Sequence, residues 1–190
     1  MVRYSKKYGD MLENPFTWGL EIALGYLLKL GKNYVYKARD SKALYEELNN
    51  ASDHQLSPRQ VSNMIYQLKN SNYIEICDEE GEKSIKLTNK AKIKLVEKII
   101  EEEPKDNKYR FVSFDIPERL HHRRDKFRRT IKRMGFRQIQ QSLWVTDKNI
   151  GEMVDIAAQE FEVEEYVAYI VSEKSNIDLH IKKTLHVELS

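Results

Sequence analysis

Tyr109-Arg110-Phe111-Val112-Ser113-Phe114-Asp115-Ile116-Pro117 opens the half of the chain whose pattern decides the fold. The run through Asp115 is rich in β-formers and reads as a strand, which Pro117 closes off. A helical pattern follows from about Glu118 to Met134, with Leu120, Phe127, Ile131 and Met134 facing inward and Gly135 ending it. Phe136 to Gln140 and Ser142 to Thr146 read as short strands, Ile150 to Glu160 as a second helix, and Glu165 to Ser172 as a last strand. The order β-α-β-β-α-β over residues 109–176 is that of a ferredoxin-like domain, which packs its helices on one sheet face and leaves the other free.

Upstream, helical periodicity stops at Glu101-Glu102-Glu103-Pro104-Lys105-Asp106-Asn107, so a linker is expected at 104–108 and a separate domain at 15–103, after a leader at 1–14. Within that domain, Trp18 to Leu30 reads as a largely buried helix ended by Gly31, and Ser41 to Asn49 as a shorter one with Leu44 and Leu48 inward. The third helix has the clearest start. Ser57 is placed to accept from the amide of Gln60 while the Gln60 side chain returns the bond, and Pro58 sits where a missing N–H costs nothing. Tyr73 to Cys77 and Lys83 to Leu87 then form a hairpin about the turn Asp78-Glu79-Glu80-Gly81, and Thr88 caps a closing helix through Ile99. Three helices followed by a hairpin is the order of a winged helix-turn-helix, in which the helix before the wing enters the major groove. The fold class expected is therefore α+β: an N-terminal winged helix-turn-helix and a C-terminal ferredoxin-like (βαββαβ) domain.

The length of 190 residues accommodates two such small domains, and 41% hydrophobic with 33% charged residues supports packed cores under a heavily charged surface. The longest apolar stretch, Leu20 to Leu30, is broken by Glu21 and Lys29 and falls short of a bilayer span, and Met1 to Asn14 lacks the apolar run of a signal peptide. No membrane partner and a cytoplasmic location are expected. The single cysteine, Cys77, excludes an intramolecular disulfide framework and a cysteine-cluster metal site. No internal repeat, Gly-rich phosphate loop or Ser/His/Asp set can be assembled, and adjacent His121 and His122 lie on different helix faces without a third zinc ligand.

Two surfaces attract attention. On the third helix, Arg59, Asn63, Tyr66 and Gln67 lie opposite the apolar stripe Val61, Met64, Ile65 and Leu68, with no acid between Ser57 and Tyr73. Arg, Asn and Gln carry donors and acceptors that match base edges, and Tyr66 can donate to phosphate, so the face is read as a major-groove reader of double-stranded DNA. A plain solvated face or a protein contact is the bland reading. The acidic tip of the hairpin should point away from the duplex. The second surface is the helix after the first strand: from Arg119 to Arg137 there are nine Lys or Arg against one acid, Asp125. Arg123, Arg124, Arg128 and Lys132 are the phosphate-contact candidates there, because solvated faces usually mix signs.

Asp115 ends the first strand and is read chiefly as a strand terminator or cap; alone it is a poor Mg²⁺ site, although a twofold dimer would pair it with its copy. At this point a resemblance becomes visible. Phe111 to Pro117, the Arg-rich helix, and Gly135-Phe136-Arg137-Gln138-Ile139-Gln140-Gln141-Ser142-Leu143-Trp144 resemble the CRISPR adaptation protein Cas-two over about Lys108 to Ser175. A winged helix placed before such a domain resembles the phenylacetate-degradation repressor (PaaX) family across nearly the whole chain. The resemblance implies a homodimer built on the Cas-two-like domain, places Asp115 at a position implicated in divalent metal binding, and leaves the tail 177–190 either adding a strand to a partner's sheet or loose. It implies a DNA-binding transcriptional repressor without cofactor. The alternatives are a Cas-two-like, Mg²⁺-dependent nuclease or CRISPR adaptation component using paired Asp115, and a protein-binding adaptor. The chain lacks room for those repressors' additional C-terminal region, which puts a coenzyme A thioester effector in doubt.

Overall fold

In the computed structural model, the described residues are 57–79, 82–101 and 105–185, together with 24–25, 27, 35–38, 42, 46 and 50. The leader, most of the first two expected helices and the hairpin tip lie outside them. The chain divides into two compact units between Ala91 and Lys92.

In the first unit, strand β1 (Val35–Ala38), helix α1 (Pro58–Asn70) and strands β2 (Ile74–Glu79) and β3 (Glu82–Leu87) are described, with the sheet order β1-β3-β2. Helix α1 starts as its sequence dictates. The Ser57 amide donates to Gln60 Oε1 at 2.8 Å and the Gln60 amide to Ser57 Oγ at 3.3 Å, which completes the capping box. Ser57→Ala should therefore lower stability by about 1 kcal/mol, read as a shift in denaturation midpoint; a shift within error would mean the helix start is held by packing alone. The C-terminus closes through Asn72 at φ 58°, where the Tyr73 amide reaches Leu68 O at 2.9 Å and the Asn72 amide Lys69 O at 3.0 Å. Val61 and Leu68 are buried, and Ile74, Ile85 and Leu87 join them from the hairpin.

Thr88 caps the next helix as expected, its Oγ1 accepting from the Ala91 amide at 3.2 Å. That helix is not continuous to Ile99: it turns at Leu95, giving α2 (Asn89–Lys94) and α3 (Val96–Glu101).

The second unit contains β4 (Lys105–Phe114), α4 (His121–Arg133), β5 (Arg137–Gln140), β6 (Leu143–Lys148), α5 (Gly151–Glu160), β7 (Val167–Ser172) and α6 (Asp178–Leu185). From β4 to β7 this is the expected βαββαβ order. The antiparallel sheet runs β5-β6-β4-β7, with the first and third strands of the motif side by side at its centre. Gly135 stops α4 at φ +87°, with the Phe136 amide on Ile131 O at 3.1 Å. Val112, Phe114 and Trp144 are buried on the helix side of the sheet along with Phe127, Ile131 and Met134. Phe127 meets Phe114 edge to face at 5.4 Å between ring centroids.

Two expectations are corrected here. Residues 105–108 are not a linker but the irregular first part of β4: Lys105 pairs with Lys148, the register shifts before Arg110, and Asn107 sits at φ 59°. The polar run Lys-Asp-Asn-Lys hides this because a bulged strand segment shows no alternation. The described part of the tail is helical rather than extended. Its residues 178–185 form α6, whose Ile181 is fully buried against Phe111 and Val145, with Ile177 and Leu185 packed alongside Tyr109, Ile139 and Leu143. The sheet face expected to be free is thus covered in part by the chain itself, while Ile170, on the same face at the edge strand, stays 50% exposed.

Irregular β4 also buries a cation. Arg110 is 2% exposed, paired with Asp106 and donating to Lys108 O at 2.9 Å. The hydrogen bond from Arg110 holds the Asp106 carboxyl down to about 2. A carboxyl depressed in the folded state stabilises above its unfolded value near 3.9 and loses that contribution as pH falls through the folded one. Acid titration of unfolding should show stability falling between about pH 4 and pH 2. In Asp106→Asn that limb should flatten; an identical limb would place the acid sensitivity elsewhere.

Candidate nucleic-acid interface

The four residues expected to read bases share one face of α1. Arg59, Asn63 and Gln67 follow at four-residue intervals, Arg59 and Asn63 exposed and Gln67 half-buried, and Tyr66 stands 66% exposed beside them. None of the four side chains hydrogen-bonds to another described residue. With both helix ends pinned, the face is a rigid presentation of an always-charged guanidinium, two amides and a phenol. The hairpin follows at once, its register running from Ile74↔Leu87 to Glu79↔Glu82. The first two helices expected in that domain lie outside the described residues apart from isolated positions.

On α4 the structure divides what the sequence shows as one basic block. Arg123 is tied to the end of α5, with Glu162 Oε2 at 2.6 Å and Glu162 O at 3.3 Å. Arg124 reaches Glu118 at 2.9 Å and Ile116 O at 3.5 Å, and Arg133 reaches Glu97 at 2.9 Å and Lys94 O at 3.2 Å. Glu97, Glu118 and Glu162 lie outside the helix, so counting charge along it overstates the free excess. Arg128 and Lys132 are different. Both are exposed, neither has a carboxylate at ion-pair distance among the described residues, and both sit over the buried Trp144 ring, 5.9 Å and 5.7 Å from its centroid. Cations over an indole gain about 0.5–1 kcal/mol at exposed sites, enough to offset the roughly 0.2–0.5 kcal/mol cost of like charges at i,i+4. The pair is also flanked by β5, where Arg137, Gln138 and Gln140 are exposed on an edge strand.

Asp115 is exposed just past β4, its amide donating to Tyr166 O at 3.1 Å. No group of three His, Cys, Asp or Glu able to hold a metal ion occurs among the described residues. A single carboxylate supplies only part of the oxygen ligation that Mg²⁺ takes, the rest coming from water or a second group. Trp144 is part of the core. Tyr169 is half-buried, its ring against Gly151 at the start of α5.

The sheet order, the Gly135 stop and the strand–Asp115–basic helix succession all belong to one kind of domain, and comparison with known families agrees. Residues 102–184 match the family model of the PaaX protein central Cas2-like domain. This segment is similar to the PaaX central Cas2-like domain. The match begins after α1 and the hairpin, and extends through nearly all of α6, past the Ser175 limit read from motifs. No curated protein and no solved structure matches the chain. No helix among the described residues is long and apolar enough to cross a membrane.

Proposed function

We propose that the chain is a homodimeric, DNA-binding transcriptional regulator of the PaaX kind. In this reading a winged helix-turn-helix presents Arg59, Asn63, Tyr66 and Gln67 of α1 to the major groove, and the Cas2-like domain pairs two copies so that two half-sites are bound on one axis. The observation that carries it is the outward, acid-free face of a doubly capped helix immediately before a hairpin, in a chain that also holds a PaaX-type domain. Polar side chains with matched donors and acceptors and no carboxylate suit a surface that must approach phosphate. Selection from random duplexes tests it directly: enrichment of a twofold-symmetric consensus is the expected result, and no enrichment by a monomeric protein would overturn it.

A further inference from the structure

We infer that the exposed flank of α4 carrying Arg128 and Lys132 is a second nucleic-acid contact, one that grips the phosphate backbone of duplex DNA without reading its sequence. It deepens the regulator reading and rests on it only for the choice of DNA as the partner. The basis is which cations the fold leaves unneutralised. Arg123, Arg124 and Arg133 are held by Glu162, Glu118 and Glu97. Arg128 and Lys132 are instead gathered one turn apart over Trp144, with no carboxylate within ion-pair distance among the described residues.

Their neighbours extend the same charge. Arg129 uses one N–H on Asp125 O at 3.2 Å and keeps the others, and Lys126 is exposed on the helix. At the sheet edge, Gln138 pairs in register with Trp144, so its amide lies on the same side of the sheet as the two cations. Two like charges held side by side by a buried ring form a preorganised anion site whose mutual repulsion a phosphate relieves. A guanidinium beside an ammonium supplies a forked donor and a point charge, both suited to phosphate oxygens. Backbone phosphates recur along a duplex whatever its sequence, which fits a cationic row better than a lone small anion does.

The test uses the full chain and a labelled duplex of random sequence, with affinity followed by anisotropy over a salt series. In Arg128→Gln with Lys132→Gln, the slope of log affinity against log salt should become shallower by about 1–2, since each neutralised phosphate contributes roughly 0.9. Sequence preference, measured against a selected site, should be unchanged. Arg123→Gln with Arg124→Gln should keep the original slope while lowering the thermal midpoint. An unaltered slope in the Arg128/Lys132 variant overturns the inference and leaves the α1 reading standing. A shallower slope in a protein with no sequence preference supports it and sinks the α1 reading. Retention by polyglutamate together with failure to bind any duplex overturns it in favour of an acidic protein partner.

Discussion

Phe127→Ala is expected to lower the unfolding free energy of the second unit by about 3–5 kcal/mol. Phe127 is fully buried, and its ring meets Phe114 edge to face at 5.4 Å and 88°. Phe114 in turn stacks on Trp144 at 6.4 Å and 20°. The vacated volume would be bounded by residues on the two central strands, β4 and β6, whose ladder prevents them from moving in to fill it. Phe127→Leu keeps most of the volume and should lose much less. The readout is the denaturant midpoint at constant m-value. A loss below about 1 kcal/mol would mean that this side of the sheet is loosely packed. Truncation on the opposite face provides the contrast. Ile181 is as deeply buried, but it hangs on α6, a single eight-residue helix that is able to detach locally. The cost of Ile181→Ala is therefore capped by the free energy that seats α6, whereas the cost at Phe127 is borne by the whole domain.

That same contrast shows which features were legible in the sequence. Ser57, Pro58 and Gln60 announced α1 because a capping box is a local device: the atoms that decide it are three residues apart. Gly135 announced the end of α4 for the same reason. The tail misleads because it satisfies two periods at once. Ile177, Leu179 and Ile181 alternate like a strand, while Ile177, Ile181 and Leu185 repeat like a helix. The fold decides for the helix: Ile181 is fully buried and Leu179 is 78% exposed, the reverse of what a strand would do with two residues of equal parity. β1 went unread because four residues that include Lys37 carry too little pattern. The division of the basic helix was beyond sequence reading altogether. Arg123 finds Glu162 through the turn that ends α5, a partner 39 positions away in the chain, and only folding shows that Arg128 and Lys132 have no carboxylate at ion-pair distance among the described residues.

Replacing Asn63 and Gln67 by Ala together should remove most of the preference for a selected operator over a scrambled one. Each amide that pairs two-pronged with an adenine edge discriminates by about 1–3 kcal/mol, so loss of both should reduce the operator-to-scrambled affinity ratio by roughly 30- to 20,000-fold. Affinity for random duplex and its salt slope should stay near the original, because neither amide neutralises a phosphate. Tyr66→Phe makes the complementary case: a phenol donating to phosphate weakens every sequence alike and leaves the ratio intact. Helix α1 should remain rigid in both variants. Both substituted positions are helix-interior, where Ala is the best former, and the Ser57 and Asn72 ends are untouched. A consensus that survives the double truncation would therefore not be explained by a disturbed helix. It would place base reading on residues outside α1 and leave the acid-free face of that helix as a phosphate-facing or solvated surface.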